Sequence, residues 1–95
     1  MGKKGELRDM DKWEEGIRRS AVSFNVVMFQ PGASSRVYQS FDTLATAQEY
    51  SKVVLQEVNR IRSAMIYAID ESGHHALVGT MGRDLKWKKV EPKTW

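Results

Sequence analysis

Between residues 21 and 80 the apolar side chains change their spacing twice. In "AVSFNVVMF" (21–29), Val22, Phe24, Val26 and Met28 alternate with Ser23 and Asn25, the period of two that sets one strand face on a core. "QPGASS" supplies turn residues, and "RVYQSF" (36–41) reads as the returning strand. The period then lengthens to that of a helix. Leu44, Ala47, Ser51, Val54, Val58 and Ile61 fall on one stripe, with Tyr50 and Leu55 flanking it. Asp42 is the expected N-cap, and Arg60 and Arg62 are expected near the negative C-terminal end. "SAMIYAI" (63–69) is apolar on both faces, as a central strand covered on at least one side would be. "DESG" turns it into "HHALVGT" (74–80), with Gly73 where a left-handed conformation is usual. Two hairpins joined by one helix predict an α+β fold, a single sheet with that helix across one face.

Two further segments flank this unit. In "ELRDMDKWEEGIRR", Leu7, Met10, Trp13 and Ile17 lie at helical spacings, so residues 1–20 read as an amphipathic helical segment. In "GRDLKWKKVEPKTW" (82–95), Leu85 and Trp87 alternate with lysines, which reads as a basic, edge-like fifth strand or tail. Segments 1–20, 21–81 and 82–95 are expected to share one domain, since a chain of 95 residues holds one at most. The strand-strand-helix-strand-strand order resembles the β-grasp arrangement of ubiquitin-like and immunoglobulin-binding domains, in element order alone.

Composition limits the setting. With 41% hydrophobic and 28% charged residues the chain belongs with globular proteins and not disordered ones. It has no cysteine, which suits a reducing compartment. No apolar run approaches the roughly 20 residues of a spanning helix, and "MGKKGELRDMDKWEE" offers no apolar signal segment. A cytoplasmic protein without membrane contact is the expectation. The net charge of +3 is uneven. Residues 20–81 carry four cations against five anions, whereas residues 82–95 carry five cations against two. The basic excess therefore belongs to the C-terminal segment.

The inventory for chemistry is thin. His74 and His75 are adjacent, so on a strand they point to opposite faces and do not share a metal. Asp70 or Glu71 could join one of them across the turn, but a solvated histidine on a hairpin arm is the expected state. Nothing places Ser72 beside a histidine held by a carboxylate, and the two acids of "DESG" sit on an exposed tip. No catalytic residue, metal or cofactor is expected. The "GTMG" of 79–82 has the G-x-x-G form of a phosphate-clamping loop, but it follows a strand, where glycines serve turns.

What remains is binding. The expected function is a non-enzymatic interaction module, an adaptor, subunit or inhibitor of another protein, one that handles nucleic acid in turn being among the candidates. Leu7, Met10, Trp13 and Ile17 are its candidate contact stripe. The alternative is weak, salt-sensitive nucleic-acid binding by the C-terminal segment. Arg83, Lys86, Lys88, Lys89 and Lys93 would meet phosphates and Trp87 would stack on bases. In the competing account Trp87 closes the core beside Leu85.

Overall fold

The computed structural model describes residues 9–32 and 38–90, the side chains of residues 9–11 and 38 excepted. The elements run α1 (Asp9–Arg19), β1 (Ser23–Phe29), β2 (Tyr38–Phe41), α2 (Leu44–Glu57), β3 (Ser63–Ile69), β4 (His75–Gly82) and β5 (Trp87–Lys89). The fold is α+β, with a five-stranded antiparallel sheet of order β2-β1-β3-β4-β5. Because β2 and β3 both run antiparallel to β1, they are parallel to each other. The segment β2-α2-β3 is thus a crossover split by β1.

Register assigns the faces. Phe24 pairs with Ala68, Val26 with Ile66 and Met28 with Ala64. Ala64 in turn pairs with Met81 and Ala68 with Ala76. These residues share the side of the sheet on which α2 packs, and Val26, Met28, Ala64, Ile66 and Met81 join Ala47 and Leu55 in one buried cluster. They are also the side on which α1 packs. Ile17, 3% exposed, lies in a second cluster with Ala68, Ala76 and Val78. The alanines of β3 and β4 let α1 come close, and Arg18 Nε donates to the Leu77 carbonyl at 2.8 Å. Both helices therefore share one face, and among the described residues nothing covers the other.

Helix α2 is rotated and shorter than its apolar stripe predicts. Its buried residues are Ala47, Ser51 and Leu55. Leu44, Tyr50 and Val54 only flank the core, and Val58 is 40% exposed. Leu55, expected at the margin, is the centre. Ser51 is tolerated there because its Oγ donates to the Ala47 carbonyl at 2.8 Å. The N-cap is Thr43 and not Asp42: Thr43 Oγ1 accepts from the Thr46 N–H at 3.2 Å. The helix stops at Glu57, well before Arg60 and Arg62. Ile61 is still buried, but from the loop. The cation at the helix end comes from far along the chain. Arg83 Nη1 donates to the carbonyls of Leu55 (2.9 Å) in the last turn and of Val58 (3.2 Å) and Ile61 (2.9 Å) just beyond it, which sets its positive charge at the negative pole of the helix.

Val22 precedes β1 and is 51% exposed, so the inward set of that strand is Phe24, Val26 and Met28. In β4 the register shifts between Ile66/Tyr67, leaving Val78 unopposed in a bulge. Gly79 follows at once. A Cβ there would lie 2.7 Å from the Lys88 carbonyl oxygen and 2.7 Å from Trp87 Cη2. The glycine lets β5 and the indole of Trp87 approach β4 closely.

Candidate interaction surface

The side chains opposite the helices come from alternate residues of each strand. β1 contributes Ser23, Asn25, Val27 and Phe29; β3 contributes Ser63, Met65, Tyr67 and Ile69. Leu77 and Thr80 of β4 extend the rows, beside Tyr67 and Met65 respectively. Ser40 lies opposite Asn25, and Lys88 opposite Thr80 on edge strand β5. The result is an apolar centre of Val27, Met65, Tyr67 and Leu77, with Ile69 and Phe29 toward the ends. Polar Asn25, Ser40 and Thr80 surround it. Ser40 Oγ donates to Asn25 Oδ1 at 2.6 Å, which fixes the rim on that side.

Strand β3 shows a reversal of bulk. Toward the two helices it presents Ala64, Ile66 and Ala68, all fully buried. Toward the uncovered side it presents Met65, Tyr67 and Ile69, larger on balance and only half-buried. Val27, on the same side, is 6% exposed. Phe29 remains 40% exposed. Charge is segregated as well. The described side chains of Glu14, Glu15, Glu49 and Glu57 belong to the helices, and Asp42, Asp70, Glu71 and Asp84 to loops and turns. Among the described residues this face holds no carboxylate. Its charged side chain is Lys88, with His75 at the opposite corner beside Ile69.

The stripe read from the sequence is divided by the structure. Ile17 is a core residue and offers nothing to a partner, since it is held under α1 against Ala68, Ala76 and Val78. Trp13 is 49% exposed, with its ring edge-on to His74 at a centroid distance of 5.4 Å. Leu7 and the Met10 side chain lie outside the described residues.

The basic set is divided too. Lys86, Lys88 and Lys89 are exposed, while Lys93 lies outside the described residues. Arg83 is not a free phosphate partner, because its donors cap α2. Trp87 is not a free stacking platform: its ring packs on Gly79 and against both core clusters. Leu85, beside it, does not continue the strand. It sits at φ 63°, its N–H donating to the Gly82 carbonyl at 3.0 Å, and packs against the core from that turn. A shallow groove of about 290 Å³ runs between Trp87 and Leu85 on one side and Gln48, Glu49 and Lys52 of α2 on the other.

The turn after β3 is ordered by one carboxylate. Asp70 Oδ1 accepts from the N–H groups of Ser72 (3.0 Å) and His74 (2.8 Å), and Oδ2 lies 3.2 Å from His74 Nδ1. Burial raises the Asp70 pKa, but the hydrogen bonds from His74 and Ser72 outweigh it and hold the carboxyl below its ordinary value. Among the described residues no three His, Cys, Asp or Glu side chains converge as metal ligands, and no helix is long and apolar enough to cross a membrane.

With two sheet faces and one long helix, the sequence alone requires that the second face be covered or left for a partner, but it does not name the residues of that face. A signal for it exists in "SAMIYAI", where small and large apolar residues alternate. Which set faces the helices depends on where α1 docks, and that is a tertiary choice. No family model matches the chain, and neither a curated protein nor a solved structure is significantly similar to it.

Proposed function

We propose that this protein is a small, non-catalytic interaction module of the cytoplasm that docks another protein on the uncovered face of its sheet. The observation that carries the reading is the reversal of bulk in β3. A strand that places Met65, Tyr67 and Ile69 outward and Ala64, Ile66 and Ala68 inward has its larger apolar side chains, on balance, on the side that no described residue covers. The composition of the face also suits a protein partner. Interface centres are rich in aromatic residues and methionine and poor in charge, with a polar rim, which describes Tyr67 and Met65 within Asn25, Ser40 and Thr80. Nucleic-acid binding by the C-terminal segment is less well supported, since Arg83 and Trp87 are engaged within the fold.

The test is capture of the tagged protein's partners from nuclease-treated lysate, comparing wild type with Met65→Lys and Leu77→Lys. Both side chains point away from the core, so both variants should keep the wild-type melting temperature to within a few degrees. A protein retained by wild type and lost with both variants is the expected outcome. Identical capture by all three would overturn the reading. Loss with Trp13→Ala in place of the sheet variants would move the docking site to α1.

A further inference from the structure

We infer that, when no other partner is bound, the uncovered sheet face is occupied by a second copy of this chain, in a face-to-face dimer that forms and dissociates readily. This rests on the docking reading of the same face and names its resting occupant.

Charge is the first argument. Partner choice between proteins is set largely by complementary charges across the interface. Here the described face offers no carboxylate, and Lys88 is its charged side chain apart from His75. Such a face selects no strongly charged foreign surface, and it does not repel its own copy if the lysines are kept apart. The strand order allows that. β3 is the middle strand of five. A twofold axis running along β3 in the plane between two stacked sheets lays β5 of one copy over β2 of the other. Lys88, in the row of Thr80, Met65 and Val27, then lies over the β2 edge of the other copy and away from its symmetry mate. The same axis sets Met65 and Tyr67 against their own counterparts, giving a self-complementary apolar centre. Stacked sheets pack about 10 Å apart at roughly −30°, a separation that side chains of this size fill.

Area is the second argument. With strands about 4.8 Å apart and a rise of about 3.4 Å per residue, the five strands present roughly 450 Å² of flat sheet per copy, or about 900 Å² in all before side-chain relief. Stable complexes bury about 1,200–2,000 Å² and transient ones less. The face is therefore large enough for a weak, exchanging dimer and too small for an obligate one. A dimer of that kind keeps Phe29, Met65 and Tyr67 out of water while leaving the surface available to a tighter partner.

The experiment is sedimentation of the purified full chain from about 1 µM to about 1 mM, near physiological ionic strength, with wild type, Met65→Lys and Leu77→Lys. Gln48→Lys, on the helical side, is the control. The weight-average mass of wild type and Gln48→Lys should rise from one chain toward two with concentration and stop there. Met65→Lys and Leu77→Lys should each raise the midpoint at least tenfold. Circular dichroism melts verify that the variants are folded, and if one is not, the other decides. A mass of one chain throughout would overturn the dimer. So would a dimer indifferent to both face variants, or growth beyond two chains. The two readings fail separately. Monomeric wild type that still captures a partner through Met65 and Leu77 removes the second copy alone. A dimer broken by both variants whose partner capture is unchanged removes the docking function and leaves the dimer.

Discussion

At Gly79 any side chain would collide with backbone, because the added Cβ would sit 2.7 Å from the Lys88 carbonyl oxygen. A flexible side chain could move aside; a paired carbonyl of β5 cannot without shifting the strand. Gly79→Ala should therefore destabilise by about 1–3 kcal/mol, the usual range for overpacking, and Trp87 fluorescence should report a more solvated indole. An unchanged melting temperature would mean that β5 does not lie where the structure has it. Asp70 acts through hydrogen bonds instead of volume. Its carboxyl is lowered in the folded state, so its contribution is present above the ordinary carboxylate pKa and is lost as pH falls through the folded value. Below about pH 4, melting temperature should fall more steeply in wild type than in Asp70→Asn. Above that range the variant should be the less stable of the two. Parallel acid limbs would show that the Ser72 and His74 contacts carry no linkage.

At the scale of an element, α2 decides how far the apolar pattern can be trusted. Leu55 is 1% exposed and Val58 40%. Leu55→Ala should lose about 2–5 kcal/mol, while Val58→Ala should stay within about 0.5 kcal/mol. Denaturant melts of the two variants compare them directly. Equal losses would put the stripe back where the sequence alone suggests it. The existence, type and order of the five elements in 21–80 were legible because β1 and α2 carry distinct periods and turn residues mark off the short apolar runs of the other three. The helix end was not, because "EVNRIR" keeps the apolar spacing through Val58 and Ile61 after the backbone has left the helix. At that end stands Arg83, 25 positions beyond Val58, whose guanidinium donates to the carbonyls of Leu55, Val58 and Ile61. No local rule sees such a contact. The same holds for Ile17, whose stripe fits a surface helix and a buried one equally well. Only the alanines at 68 and 76 make room for it.

At the scale of the molecule, the remaining question is how the exposed lysines behave toward nucleic acid. Residues 82–95 carry five cations, but Arg83 is committed to α2. Arg83 is exposed but bonded to carbonyls, and the other exposed cations among the described residues of this segment, Lys86, Lys88 and Lys89, do not form one ridge. Lys88 pairs with Thr80 on the uncovered face, and Lys89 pairs with Gly79 on the helical one. A single phosphate backbone therefore meets only part of the set at once. Each phosphate neutralised contributes about −0.9 to the slope of log affinity against log salt on duplex DNA, or about −0.7 on single strands. Fluorescence anisotropy with a labelled oligonucleotide should give weak binding and a slope no steeper than about −3. Lys88→Ala with Lys89→Ala should flatten that slope and weaken all sequences alike. Trp87→Ala separates the two roles of the indole. A stacked base would lose about 1–3 kcal/mol of binding with the protein intact. An indole that closes the sheet over Gly79 should instead lose stability, with binding failing only as the domain melts. Tight binding at physiological salt, abolished by Trp87→Ala in a folded protein, would show that the ring leaves Gly79 to meet a base and would return the C-terminal segment to the centre of the function.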